Sequence, residues 1–129
     1  MSGHSTSSYP QIRSDTYTPT LTINTPSTID SASVSQHQFM RVGNVVTVSG
    51  GVNIICNATT GTCSVSVTLP INTNATNDSN LCGVGYDTSL TNQQGVGIYY
   101  ASGAARLTFE NLHSNAILSF KTHYTYVVI

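Results

Sequence analysis

The sequence predicts an all-β protein, an antiparallel β-sandwich of jelly-roll type with about eight strands and an extended N-terminal arm. Short runs rich in β-branched and aromatic residues recur along the 129 residues, and Gly, Pro, Asn and Ser separate them. Within several runs apolar and polar residues alternate, which is typical of strands with one face in a core. No segment has a helical period of apolar residues. We therefore expect one domain over residues 16–129 behind an arm of residues 1–15.

The predicted arm is polar, rich in serine and interrupted by Pro10. Such a segment has little to pack against a core, so we expect it to be flexible or ordered by a partner. The same residues show neither the basic region nor the apolar region of a secretory signal, so synthesis in a cytoplasm is expected.

The first strand is predicted over residues 17–23, where Tyr17, Leu21 and Ile23 alternate with threonines. Pro19 lies inside this run and lacks a backbone donor, which favours an edge strand. A loop at 24–27 follows, and then a weak strand is predicted over residues 33–42.

The strongest short-range signal is the Gly43-Asn44 turn between two β-rich runs, which predicts a hairpin. Pairing across this turn sets Val42 opposite Val45, Arg41 opposite Val46, Met40 opposite Thr47 and Phe39 opposite Val48. Opposed residues share a face, so both faces of the hairpin are apolar. We therefore expect its own core to cover one face and something else to cover the other. In the returning strand, which reaches Cys56, Gly50-Gly51 predicts a bulge or bend.

Further strands follow at short intervals. Residues 62–69 alternate clearly, with Cys63, Val65, Val67 and Leu69 on the apolar face. A polar loop is expected over 71–80. In the short strand 81–87, Gly83 and Gly85 share one face and indicate close approach of another element, and Cys82 is expected in the core beside Val84 and Tyr86.

The C-terminal part predicts a hairpin and a long final strand. Residues 96–101 and 105–112 are joined through Ser102-Gly103-Ala104. The strand over 116–129 is predicted to bury Leu118, Phe120, Tyr124, Tyr126 and Val128 and to expose Ser119, Lys121, His123 and Thr125.

Charged residues make up 7% of the chain, against about 25% in an average globular domain. Four Lys and Arg residues and a net charge of −1 are too little to neutralise a row of phosphates, so we expect no nucleic-acid partner. No apolar run approaches the roughly 18 residues of a membrane-spanning helix, so we expect no membrane insertion.

Only Pro19 and Lys121 could protect a sheet edge. We therefore expect a closed homo-oligomer; the alternative is a monomer kept soluble by Ser, Thr and Asn side chains.

Four segments carry a resemblance to a known class of proteins. They are Tyr17–Thr22 (YTPTLT), Phe39–Gly50 (FMRVGNVVTVSG), Leu69-Pro70 and Tyr124–Ile129 (YTYVVI). Their order resembles small C-terminal domains of bacteriophage fibre, spike and other virion appendage proteins, over about residues 16–129. The most specific part is the Arg-Val-Gly-Asn hairpin followed by Val-Thr-Val-Ser-Gly. The chain lacks a long shaft or coiled coil, which favours a self-standing knob, head fibre or decoration protein.

The resemblance implies a β-sandwich that trimerises on the virion surface. The expected function is that of a bacteriophage structural protein exposed for host attachment or capsid decoration, with the arm contacting other virion proteins. A cell-surface glycan or protein of the host would be the receptor. The alternative function is a free-standing carbohydrate-binding module.

Reversal of chain direction at each strand places loops alternately at the two ends of the domain. If the arm docks to a virion, the loops at 24–32, 57–62, 88–94 and 113–115 face outward. Amide and hydroxyl groups there could hydrogen-bond a receptor. The candidate receptor-contact residues are Asn57, Thr59, Thr60, Asn92, Gln93, Gln94, His113 and Asn115.

Cys56 and Cys63 flank the loop at 57–62, and their separation allows a disulfide if they face each other. Such a bond would add roughly 2.5 kcal/mol of stability in the loop-entropy model. A reducing compartment at synthesis argues against it, and exposure outside the cell argues for it.

No residue pattern predicts an enzyme. The four His residues share no ligand spacing, and a Cys-His pair has no local signature. Asp87 and Glu110 are the only acids in or beside the central strands, where a glycosidase needs a positioned pair. One of Tyr99 and Tyr100 must face outward, where it could contact a sugar or a protein. We expect no catalytic residue, no metal and no cofactor.

Overall fold

The computed structural model describes residues 11–89 and 94–129. Within these ranges the chain forms ten β-strands, one 3-10 turn at Asp78–Asn80 and no α-helix. The all-β prediction is confirmed. The strands are β1 (Ile12–Tyr17), β2 (Leu21–Ile23), β3 (Ile29–Val34), β4 (His37–Val42), β5 (Val45–Cys56), β6 (Gly61–Thr68), β7 (Leu81–Asp87), β8 (Gly95–Ala101), β9 (Ala104–Asn111) and β10 (Ile117–Val127).

These strands form one antiparallel sheet in the order β1-β4-β5-β10-β7-β8-β9-β6-β2, and β3 pairs with the second half of β5. The sheet curls so that its inner faces meet. Phe109 on β9 and Phe120 on β10 show this, because their ring centroids lie 5.1 Å apart although two strands separate them in the sheet. The resulting core contains the buried tyrosines and aliphatic residues of β5, β6, β9 and β10.

The N-terminal strands differ from the prediction. Instead of one strand over 17–23, β1 and β2 lie at opposite ends of the strand order, with the buried Pro19 between them. Proline cannot donate to a ladder, and here it separates two strands. Residues 12–15, expected in the arm, belong to β1 and pair with β4. The predicted strand over 33–42 likewise divides into β3 and β4.

The predicted hairpin is confirmed residue by residue. Val42 pairs with Val45, Arg41 with Val46, Met40 with Thr47 and Phe39 with Val48. Gly43 has a φ of 60°, in the left-handed region that glycine adopts readily. A two-residue turn thus sets the register of β4 against β5.

Gly50-Gly51, where a bulge or bend is predicted, shows no bulge towards β10: β5 pairs with β10 without interruption from Val45 opposite Val127 to Ile55 opposite Ile117. The two glycines instead lie where the other neighbour of β5 changes from β4 to β3. Contacts with His37 and Ser35 explain why both positions are glycine. A Cβ at Gly50 would lie 2.2 Å from the His37 ring, and one at Gly51 would lie 3.0 Å from the Ser35 hydroxyl oxygen.

The close approach predicted at Gly83 and Gly85 is confirmed. A Cβ at Gly83 would lie 2.3 Å from the Cβ of Tyr124, and one at Gly85 would lie 2.7 Å from Val96. Because these glycines face inward, the alternating residues Cys82, Val84 and Tyr86 face outward. The expectation of a core Cys82 beside Val84 and Tyr86 is therefore wrong.

The C-terminal elements agree closely with prediction. β8 and β9 pair through a two-residue turn at Ser102-Gly103, and both turn residues have positive φ. The even-numbered positions of β10 from 118 to 126 are buried, whereas Lys121 and His123 are exposed. Lys121 lies between β5 and β7 and so protects no sheet edge, contrary to its predicted role.

Candidate functional site

An apolar row crosses the outward face of the sheet near the first hairpin. Ile12 lies opposite Val42, Val42 opposite Val45, and Val45 opposite Val127, so four neighbouring strands each contribute one side chain. Met40 lies two residues from Val42 on the same face of β4. We call Ile12, Met40, Val42, Val45 and Val127 the hairpin patch.

The hairpin patch is exposed, although every member is apolar. Its five side chains are between 39% and 71% exposed, whereas Phe39, Val46 and Val48 on the inner face of the hairpin are buried. The prediction of two apolar faces is confirmed. The core covers one of them, and the described residues leave the other open. A contiguous exposed apolar surface of this kind marks an interaction site more often than a scattered apolar residue does.

A shallow depression of about 520 Å³ borders the hairpin patch. It is lined by Ser14, Asp15, Thr16, Gln38, Phe39, Met40, Thr47, Ser49 and His123. A hydrogen bond from the Thr16 backbone, and then the nearby Arg13 guanidinium, lower the pKa of Asp15. The Arg13–Asp15 ion pair is 3.4 Å long and exposed, so it contributes little to stability. Polar groups thus flank the apolar patch on one side.

Sequence reasoning found three of the five patch residues and missed two. Ile12 was assigned to the arm because no alternating pattern marks residues 12–15 as a strand. Val127 could have been found from parity alone, since Tyr126 was predicted to be buried and adjacent strand residues face opposite sides. The register that joins both residues to Val42 and Val45 depends on strand order, which the sequence does not reveal.

Hydrogen bonds join several of the loops predicted at one end of the domain. The Asn57 backbone N–H donates to the Thr28 carbonyl at 3.0 Å, and the Asn115 N–H donates to the Asn57 carbonyl at 2.8 Å. The Asn57 side chain bonds to the Ser27 carbonyl and accepts from the Thr59 N–H. The structure therefore brings Asn57, Thr59 and Asn115 together.

The other receptor candidates differ in their surroundings. Thr60 and His113 are exposed, as are Thr59 and Asn115, and the His113 backbone bonds to the Asn111 side chain. The Gln94 carbonyl accepts a hydrogen bond from the Asp87 N–H at the end of β7. Asn92 and Gln93 lie outside the described residues. The receptor role of all eight residues stays a prediction.

Cys56 and Cys63 are buried free thiols that neighbour each other in the core. Their strands do not pair directly, so they meet across the core and not across a hairpin ladder. Burial, and then the neighbouring Cys63 thiol, raise the pKa of Cys56 to about 12. Cys56 is therefore protonated near neutral pH and a poor nucleophile. The disulfide stays a prediction.

The two candidate carboxylates both have hydrogen-bond partners. Asp87 is buried and accepts bonds from the backbone N–H groups of Ser89 and Ser119 and from the Ser89 hydroxyl. Glu110 is exposed and accepts a bond from the Thr62 hydroxyl. In residues 11–89 and 94–129 no group of three or more His, Cys, Asp or Glu side chains could hold a metal ion.

Among the described residues the most exposed tyrosine is neither Tyr99 nor Tyr100, the pair that the sequence indicated. Tyr99 is partly buried and its hydroxyl lies 3.2 Å from that of Thr108, and Tyr100 packs against the core. Tyr86 is 61% exposed and lies opposite Gly95 on β8, where a Cβ would lie 4.0 Å from the Gly85 backbone oxygen. Gly83 and Gly85 share the inward face of β7, so the alternation of side chains along the strand could have predicted that Tyr86 faces outward.

Comparison of the chain with protein-family models, with curated proteins and with solved structures finds no significant match. Among the described residues no helix is long and apolar enough to cross a membrane. The functional assignment therefore depends on the geometry of the hairpin patch and of the loops around Asn57 and Asn115.

Proposed function

We propose that this chain is a non-enzymatic structural protein of a bacteriophage virion, an oligomeric knob or head-decoration protein exposed on the particle. In this proposal the curled sheet acts as a sandwich of jelly-roll type, the trimer is the favoured state, and the residues that precede β1 contact other virion proteins. The observation that carries it is the hairpin patch, an uncharged apolar row on four adjacent strands. The resemblance of Phe39–Gly50 to fibre and spike domains supports the same assignment.

The composition of the surface supports self-association. The hairpin patch contains no charged residue, so a partner that covers it without burying an unpaired charge must itself be apolar there. A second copy of the same chain meets that condition. A stable interface buries about 800 Å² on each partner, so the patch would form the apolar centre of a larger contact with a polar rim.

The two ends of the domain support an orientation on the particle. The Gly43 N–H donates to the Gln11 carbonyl at 2.9 Å, so the chain enters the sheet beside the first hairpin turn. The loops around Asn57 and Asn115 lie at the other end of β5 and β10. If the N-terminal residues dock to the virion, those loops point away from it, towards a host glycan or protein.

Substitutions in the loops at 57–62 and 113–115 test the attachment role. We expect Thr59→Ala, Thr60→Ala and His113→Ala together to abolish adsorption of particles to host cells, because these exposed side chains would contact the receptor. Particle assembly and the native mass of the purified chain should not change. Thr76→Ala, at an exposed position in the loop after β6, is the matched control. Loss of assembly, or unchanged adsorption of the triple variant, would contradict the assignment.

The exposed Tyr86 favours the alternative function, a free-standing carbohydrate-binding module. An exposed aromatic ring opposite a glycine could stack against a sugar. A monomer that binds glycans reversibly, and loses that affinity with Tyr86→Ala, would support this alternative. A stable trimer without such affinity would support the virion protein.

A further inference from the structure

His37, the first residue of β4, is completely buried. Its imidazole lies so close to Gly50 of β5 that a Cβ at Gly50 would lie 2.2 Å from Nδ1 and 2.3 Å from Cγ of the ring. Any side chain at position 50 would displace the histidine. Glycine at this position therefore provides the space for a buried titratable ring.

The two nitrogens of this ring have different surroundings. Nδ1 lies 3.0 Å from the Ser35 carbonyl oxygen, which can only accept a hydrogen bond, so Nδ1 carries the proton of the neutral ring. Nε2 is buried and has no hydrogen-bond partner among the described residues. The neutral tautomer suits the site. An imidazolium would bring a charge and a second N–H to a position without an acceptor.

The groups packed against His37 are uncharged. The Tyr17 ring of β1 meets it edge-on at 5.9 Å, and β5 contributes Gly50. On β10, the Thr122 hydroxyl donates to the Gly50 carbonyl, and the Tyr124 hydroxyl lies 3.2 Å from that of Tyr17. Burial raises the pKa of both Tyr17 and Tyr124, so neither ionises near neutral pH.

The charged residues on the surrounding strands have other partners or face away. On β1, Asp15 bonds to Arg13 and to the Thr16 backbone, and it is exposed. On β4, the Arg41 Nε–H donates to the Gly43 carbonyl. Lys121 of β10 points to the outward face. None of the described contacts gives a protonated His37 a carboxylate partner.

The strand most affected by His37 is β1. It lies at the end of the strand order and pairs only with β4, with Tyr17 directly opposite His37. Apart from that ladder, the Tyr17 hydroxyl donates to the Thr68 carbonyl at 3.0 Å, the Tyr17 ring meets the Phe39 ring edge-on at 5.9 Å, and the Arg13 guanidinium lies 5.4 Å from the centroid of the Phe39 ring. An edge strand with a ladder on one side alone opens more easily than a central strand.

We propose that His37 makes the attachment of β1 to the sheet dependent on pH: at mildly acidic pH, protonation of its ring favours an open form in which β1 leaves β4 and water reaches Nε2. The inference concerns one chain and stands apart from the proposed function. Opening would also remove Ile12 from the hairpin patch.

The direction of the effect follows from proton linkage. Burial, opposed in part by the bond to Ser35, lowers the pKa of His37 from the ordinary value of 6.5. The open form therefore binds the proton more tightly than the closed form does. The closed form keeps its full stability above about pH 6.5, and it loses stability as the pH falls from there towards the lowered pKa.

Hydrogen exchange of the full-length chain at pH 7.5 and pH 5.0, corrected for intrinsic rates, tests the proposal. For amides of residues 12–17 we expect a loss of protection of up to roughly thirtyfold at pH 5.0, the limit for a group with an open-state pKa near 6.5. His37→Phe keeps a planar ring over Gly50 and should abolish this pH dependence. His123→Gln, at an exposed outward position, should preserve it.

Two results would overturn the proposal: equal protection of residues 12–17 at both pH values in the natural chain, or the same acid loss in His37→Phe. If His37→Phe does not fold, an NMR titration of the natural chain gives the decision. The His37 ring should then titrate with a midpoint below the ordinary imidazole value of about 6.5. A His37 midpoint at or above that value would refute the inference.

Discussion

Gly83→Ala is expected to destabilise the protein by about 3 kcal/mol or more, because the new methyl group has no room. It would lie 2.3 Å from the Cβ of Tyr124 and 2.4 Å from the backbone oxygen of His123. A backbone atom of the neighbouring strand cannot rotate away as a flexible side chain can. The contact can therefore be relieved only by separating β7 from β10 in the middle of the sheet.

Thermal and denaturant unfolding measure this effect, with Gly97→Ala as the matched control. Gly97 lies on β8, and a Cβ there would have no other atom within 4 Å. We expect Gly97→Ala to leave the stability unchanged or to raise it by up to about 1 kcal/mol. Gly83→Ala should lower the melting temperature by roughly 10 °C. Similar melting temperatures for the two variants would show that β7 does not pack against β10 as described.

Lysine in the hairpin patch is expected to dissociate the proposed oligomer without unfolding the chain. Met40→Lys combined with Val45→Lys would place two unpaired charges in the apolar centre of the interface. Burial of one unpaired charge costs about 3 kcal/mol, which corresponds to at least a hundredfold weaker association. Both positions are about half exposed in the single chain, so the isolated fold should tolerate the change.

Light scattering coupled to size exclusion measures the result, and circular dichroism verifies the fold. Asn53→Lys is the matched control, because Asn53 is exposed on the same outward face of β5 but lies away from the patch. This variant should keep the mass of the natural chain. An unchanged mass for the double lysine variant would move the interface away from the hairpin patch.

The sequence correctly predicted the features that follow from turn type and from the alternation of apolar and polar residues. The Gly43-Asn44 turn fixed the register of β4 against β5, because a two-residue turn leaves only one pairing of the flanking residues. Period-two alternation placed Cys63, Val65 and Val67 in the core of β6, and it did the same for the even positions of β10. These features depend on residues close together in the chain.

Other features depend on contacts between distant segments, and prediction failed there. Gly50 is a glycine because of the His37 ring, and without that contact the Gly50-Gly51 doublet resembles a bulge. Cys82 was placed in the core because the inward side of β7 carries glycines in place of apolar side chains. Ile12 joins the hairpin patch only through the β1–β4 ladder. Strand order, which the sequence does not reveal, therefore limited how much of the fold and of the candidate site could be predicted.

Native mass spectrometry of the unaltered full-length chain tests the central claim most directly. If the hairpin patch is covered by copies of this chain, the dominant species is a closed oligomer, and a trimer of three 13.7 kDa chains is favoured. A 13.7 kDa monomer that persists up to about millimolar concentration would contradict the account, because the apolar row on β1, β4, β5 and β10 would then have no copy to cover it.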